Sequence, residues 1–229
     1  MKNQNINTIF LLIPLLLILP QCSRIVDWAK GNFYQGEPLP GYYEIPERYI
    51  RTITMYDQMD TAGRFTALWL SDQVRTAYAK SWAQLHGKSC EQEKVFLHRQ
   101  LEENNHFISF YLLSMYTHKL ADSDSQWSVL LNIEGCLYNP TEIKTVEMPI
   151  EYQAFFGKLY NRFKTAYLVK FDAKDIQGNC LLYPGIHSIK LCFRKLSRQG
   201  CLVWNFDDRG NCKRELNARI VKRSFNYHC

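Results

Sequence analysis

IKLCFRKLSRQGCLVWNF, Ile189 to Phe206, decides how the chain folds, because two apolar alternations stand on either side of a short polar stretch suited to a turn. Ile189, Leu191 and Phe193 alternate with Lys190, Cys192 and Arg194, and Leu202, Trp204 and Phe206 alternate with Val203 and Asn205. A hairpin turning at Ser197 and Arg198 sets Ile189 against Phe206, Leu191 against Trp204 and Phe193 against Leu202. All six then share one face, as a half-buried antiparallel sheet requires. In that register Cys192 faces Val203 and Cys201 faces Arg194, so these two cysteines are not expected to be cross-strand partners.

The same two-residue period runs upstream. AYLVKFD, from Ala166, turns Tyr167, Val169 and Phe171 inward, and WSVLLNI does the same with Trp127, Val129, Leu131 and Ile133. Glu134-Gly135 offers a turn into CLYNPTEIKTVEM. FISFYLLSMYT, from Phe107, is apolar on both faces and reads as an internal strand. Further upstream YIRTITMYD, from Tyr49, is rich in β-branched and aromatic residues and suits a first strand.

Two helices are expected between these strands. Asp57 or Asp60 caps the first, which runs to Gln84 or Leu85 and stops at Gly87; Met59, Gly63, Ala67, Leu70, Val74, Ala77, Tyr78 and Leu85 form its stripe. The second, charged helix covers residues 91 to 104 in EQEKVFLHRQLEEN. The predicted fold class is α+β: a mainly helical N-terminal segment, residues 49–105, packed on a C-terminal antiparallel β-sandwich, residues 106–208. Six or seven strands favour an immunoglobulin-like sandwich on strand count alone.

The start of the chain carries an address. Residues 1–21 hold Lys2, a polar stretch and an uncharged apolar run of about 11 residues from Ile9 to Leu19, the layout of a secretory signal. A helix that spans a bilayer needs roughly 20 such residues. The small-x-small cleavage pattern is missing, and LPQC, Leu19 to Cys22, stands in its place. This stretch resembles the lipobox of bacterial lipoproteins, with Leu19 and Cys22 at the matching positions and Pro20 and Gln21 departing from the preferred small residues. The resemblance implies cleavage before Cys22, diacylglycerol on its thiol and a membrane anchor made of acyl chains. Ser23 stands where an aspartate would retain such a protein at the inner membrane, which implies the outer membrane, facing the periplasm or the cell surface. An irregular tether or wrap, residues 22–48, follows. The layout of tether, helix with the phrase LWLSDQVRTAY and β-rich C-terminal half loosely resembles uncharacterised bacterial lipoproteins, a resemblance that implies no activity.

Composition agrees with a folded, exported chain. Of 229 residues 46% are hydrophobic and 14% aromatic, enough to build a core. A formal charge of +6 suits an anionic membrane surface and is too small to argue for nucleic acid. Of the eight cysteines seven remain if Cys22 carries lipid, so at least one is unpaired or pairs between chains. No CxxC occurs, which removes the thioredoxin-like motif and the common zinc knuckle.

Candidate functional residues are few. YQAFFGKLYNRFKTAY places Tyr152, Phe155, Phe156, Tyr160, Phe163 and Tyr167 on one helical stripe beside Lys158, Arg162 and Lys164. Such a stripe either caps one open end of the sandwich as a crossover helix or contacts a protein, glycan or membrane. DAKDIQGN, from Asp172, and DDRGN, from Asp207, resemble turns more than calcium loops. His86 and Cys90 stand four apart, but Gly87 interrupts them and further metal ligands are missing; His187 near Cys180 lacks an orienting group. A basic tail, residues 209–229, carries Lys213, Arg214, Arg219, Lys222 and Arg223 toward a solvated face or anionic lipid. Phosphate loops and the serine-hydrolase elbow are absent. The expected function is therefore a lipid-anchored envelope binding or scaffold module without catalysis or cofactor, partnered by an envelope protein or glycan. The alternative is an envelope hydrolase acting on glycan or peptidoglycan through paired carboxylates among Glu151, Asp172 and Asp175.

Overall fold

A computed structural model describes residues 44–57, 60–115, 118–196 and 198–206. All belong to the compact unit Leu39–Cys229. Cys22, the tether before residue 44 and the basic tail lie outside the described residues.

Nine strands and four helices are present among the described residues. The first sheet has the order β1 (Ile50–Asp57), β2 (Asp60–Trp69), β3 (Phe107–Met115), β7 (Lys164–Asp172), β6 (Glu142–Thr145). The second has the order β5 (Cys136–Tyr138), β4 (Ser128–Ile133), β8 (Ser188–Lys195), β9 (Arg198–Asn205). Every named strand pair is antiparallel. The helices are α1 (Glu44–Glu47), α2 (Asp72–Leu85), α3 (Cys90–Asn104) and α4 (Ile150–Phe156). This is the expected α+β class, with one sheet packed on another.

Alternation explains the layering. Phe65, Phe110 and Phe171 turn toward the second sheet, where Phe65 stacks on Phe193 at 4.1 Å and Phe110 meets Trp204 at 5.3 Å. Residues of opposite parity, Leu68, Tyr111 and Leu113, turn toward the helices. β3 is therefore apolar on both faces because both faces are covered, as its sequence predicts. Val129, Leu131 and Ile133 of β4, with Trp127 just before it, are buried as expected, and so are Tyr167, Val169 and Phe171 of β7. Glu134 and Gly135, both at positive φ, make the expected two-residue turn into β5.

Three expectations are corrected. The first helix begins at Asp72, where the Ser71 hydroxyl accepts the Val74 N–H at 3.4 Å, and not at Asp57 or Asp60. Residues 60–69 form β2 instead, and the segment 49–105 contributes two strands to the sandwich. The stripe through Gly63, Ala67 and Leu70 is real in spacing, but pairing with β1 and β3 outweighs it. Gly87, at φ +58°, ends the helix as expected. The aromatic stripe 152–167 is not one helix: α4 stops at Phe156, a 3₁₀ turn covers Gly157–Leu159, and Tyr167 belongs to β7.

The third correction is to the register of the hairpin. β8 and β9 pair with Ile189 against Trp204, Leu191 against Leu202 and Phe193 against Gly200, two residues from the expected pairing. Cys192 and Cys201 consequently face each other and are disulfide-bonded. A two-residue slip leaves every side chain on its original face, so apolar alternation is blind to it. The turn follows Lys195 and puts Leu196 at φ +49°, a conformation that leucine does not favour.

Strand direction gives the sandwich two unlike ends. The chain enters at Tyr49 and leaves at Phe206 on the same end, where the Trp204 indole N–H donates to the Tyr49 carbonyl at 2.7 Å and both Tyr49 and Phe206 pack on Trp69. The opposite end holds the β1–β2 and β8–β9 turns and the long loop between β3 and β4.

Candidate functional site

At that opposite end the loop after β3 folds back over the sandwich and leaves a cleft of about 420 Å³. Leu120 anchors the loop: it is buried, and its N–H donates to the Tyr167 hydroxyl at 3.4 Å. Ser125 pins the return, donating to the His118 carbonyl at 3.4 Å and accepting the Trp127 N–H at 3.2 Å. Trp127 can then lie on β2 because residue 63 is glycine; a Cβ there would come within 2.8 Å of the indole.

Trp127 and His118 make the floor of the cleft, backed from beneath by the fully buried Phe65. Phe65 meets Trp127 edge-on at 4.9 Å, and His118 packs against both, at 5.2 Å and 5.4 Å. The Lys195 ammonium lies 5.6 Å from the Trp127 ring centre, within cation–π range. Lys119, Asp124 and Gln126 form the polar rim, with Thr61 and the exposed Met115 on the strand side. Burial first, and then the charge of Lys195, hold the His118 imidazole below its ordinary range. It is neutral at pH 7, and its Nε2 is buried without a hydrogen-bond partner among the described residues.

Ser125 is already occupied by backbone partners, and Asp124 is the single carboxylate among the lining residues, so neither an activated nucleophile nor a carboxylate pair is assembled. An aromatic floor edged by lysines suits a ligand that presents both an apolar face and a negative or hydrogen-bonding group.

The residues singled out from sequence are dispersed. Tyr152, Phe155 and Phe156 are buried between α2 and the first sheet, with Tyr152 stacked on Tyr78 at 4.1 Å and 4.7 Å from Tyr111. They are core residues and offer no contact surface. Tyr160 is half-buried, and Phe163 alone stands out, 62% exposed under the Arg162 guanidinium. Glu151 is buried on α4 with the His86 Nε2 3.4 Å away, whereas Asp172 ends β7 and Asp175 builds a turn by accepting the Gln177 and Asn179 N–H groups. None of the three acids lines the cleft. No group of three or more His, Cys, Asp or Glu side chains is arranged to hold a metal among the described residues.

A second polar concentration, in the helical layer, is a structural joint. The Arg75 guanidinium, 2% exposed, donates to Asn104 Oδ1 at 2.6 Å, Gln100 Oε1 at 3.0 Å and Glu103 Oε2 at 3.0 Å. The other Glu103 oxygen pairs with Lys170 of β7 at 2.6 Å, so one carboxylate ties α2 and α3 to the sheet. The tyrosines beside it stay protonated: burial, then Glu151, push Tyr78 up to about 12, and burial, then Tyr78, do the same to Tyr111.

No family model, curated protein or solved structure matches the chain. The cleft residues were missed in sequence because each looked ordinary: Trp127 as a strand residue, Lys195 as a hairpin cation, His118 as one histidine of six. Their only shared signal is position next to a strand end.

Proposed function

We propose that this chain is a lipid-anchored, exported envelope protein that acts as a binding or scaffold module without catalysis. In this reading Cys22 carries the lipid and the cleft around Trp127 and Lys195 meets an envelope protein or glycan. The observation that carries the reading is the opposition of the two ends of the sandwich. The described chain begins near Tyr49, at the end opposite the cleft, so an anchor on Cys22 is compatible with a cleft accessible to a partner. The Cys192–Cys201 bond is in keeping with an oxidising compartment. The cleft's composition supports binding over hydrolysis, since Glu151, Asp172 and Asp175 are all outside it.

Two measurements test the parts separately. Metabolic labelling with a palmitate analogue should mark the wild-type protein and not Cys22→Ala; an unlabelled wild type removes the anchor. A photo-crosslinking side chain at Lys119, on the cleft rim, should give discrete adducts in cells that the same probe at Lys80, exposed on α2, does not. Equal yields at both positions would remove the cleft as the contact.

A further inference from the structure

We propose that Cys136 and Cys180 are a second disulfide pair, which closes under oxidising conditions and staples the loop 173–187 to the β4–β5 hairpin. This goes beyond the binding reading and stands or falls without it.

The two thiols belong to one neighbourhood. Cys136 pairs with Ile133 and Tyr138 with Leu131, so both project from edge strand β5 on the face that carries the core side chains of β4. The Cys136 thiol and the Asp175 carboxylate both lie within electrostatic reach of the Tyr138 hydroxyl, which burial first and then these two groups push up. The Asp175 carboxylate in turn accepts the Asn179 N–H at 2.8 Å and its side-chain amide at 3.1 Å, and Cys180 follows immediately, bridged to Lys174. On the other side of Cys180, the Tyr183 hydroxyl donates to Glu134 Oε2 at 2.6 Å, two residues before Cys136. The loop is therefore fastened to the hairpin at Tyr183, three residues after Cys180.

Elimination supports the same pair. Cys192 and Cys201 are already bonded, and Cys90 opens α3 in the helical layer, across the first sheet from β5. Of the described cysteines only Cys136 and Cys180 remain at one end of the second sheet, and both are exposed to an oxidant. Leu181 and Ile186 hold the base of the loop in the core, so Cys180 is presented from a fixed base while Ile176 at the tip is fully exposed; bonding requires the two Cα atoms within about 7 Å.

The chemistry is thiol–disulfide exchange with a disulfide oxidant, either an oxidoreductase or glutathione disulfide. One protein thiolate attacks the oxidant's sulfur and releases one thiol; the second attacks the protein sulfur of the mixed disulfide and releases the other. Two protein thiols are oxidised and one oxidant disulfide is reduced to two thiols.

The test uses the purified full chain in glutathione buffers of increasing oxidising strength, trapped with N-ethylmaleimide and mapped without reduction by peptide mass spectrometry. The expected result is a linked peptide pair containing Cys136 and Cys180, loss of both their maleimide adducts, and return of the Cys180 adduct in Cys136→Ser. The proposal is overturned if both residues remain alkylated or merely glutathionylated in buffers that fully close Cys192–Cys201. It is equally overturned if either is linked to Cys90, Cys212 or Cys229 instead. None of these outcomes touches lipidation or cleft binding, so failure here leaves the proposed function intact.

Discussion

Replacing Arg75 with methionine tests whether the helical layer is held by charge or by packing. Methionine keeps the apolar stem and removes three hydrogen bonds, to Asn104, Gln100 and Glu103. Breaking a buried ion pair from one side costs about 3–5 kcal/mol, much of it the penalty for the charge left behind. Here the charge left behind is Glu103, which keeps Lys170 and is one-third exposed, so the lower bound of about 3 kcal/mol applies. For a domain of this size that is roughly 6–12 °C in Tm. Urea and thermal unfolding of Arg75→Met, Glu103→Gln and the double variant complete a cycle whose coupling should be on the order of 1–2 kcal/mol. Acid provides a second reading. Burial pushes the Glu103 carboxyl up, but the Lys170 hydrogen bond and the charge of Arg75 outweigh it and hold the group below its usual range. Its contribution is thus complete above the unfolded-state pKa, about 4.3, and lost as pH falls through the lower folded value. Arg75→Met should flatten that acid limb. Destabilisation under about 1 kcal/mol, or additivity within about 0.5 kcal/mol, would refute the account.

Four further outcomes follow from single positions. Gly63→Val should destabilise by about 1–3 kcal/mol and alter tryptophan fluorescence, because its side chain would occupy the space of the Trp127 indole and the Phe65 ring; unchanged fluorescence and stability would contradict the packing. Cys192→Ser with Cys201→Ser removes a bond closing nine residues, worth roughly 2–3 kcal/mol by loop entropy, and the double variant should unfold at correspondingly lower urea. Leu196→Asn should stabilise by about 0.5–1 kcal/mol, since asparagine tolerates the φ of +49° better than leucine; a loss of stability would count against that turn. The His118 imidazole should titrate by NMR below the usual histidine range, and upward of its wild-type value in Lys195→Met. Because its folded pKa is depressed, the stability it supports is present above the unfolded value and declines as pH falls through the folded one.

The two sheets were legible because alternation is a local property. Val129, Leu131 and Ile133 announce one buried face, and the double-faced apolarity of Phe107–Met115 announces a strand covered on both sides. What misled was spacing without a partner to test it. Gly63, Ala67 and Leu70 fall at helical intervals, yet β1 cannot remain unpaired next to the core, and β2 supplies ladder bonds that a helix there would withhold. The same holds for Tyr152 to Tyr167, where the end of the helix at Gly157, φ +50°, divides a stripe that periodicity alone makes continuous.

The hairpin shows why the candidate site was harder to read than the fold. Two registers of β8 and β9 bury the same side chains, and the choice between them rests on a cysteine pair and on a turn that leucine fits poorly. That choice has consequences for the cleft, because it ends β8 at Lys195 and brings its ammonium over Trp127. With the turn one residue later, as the expected register has it, Lys195 would lie within the ladder and not at its end. The cleft is assembled from β2, the β3–β4 loop and the end of β8, segments distant in sequence and joined by the packing of Phe65 on Phe193, Trp127 and His118 and by Lys195 over Trp127. Each of them obeys a local rule, but their convergence depends on register, which apolar patterning leaves undecided by any even shift. A cleft at the turns of a sandwich is therefore read last, once cross-strand pairs have established where each strand stops.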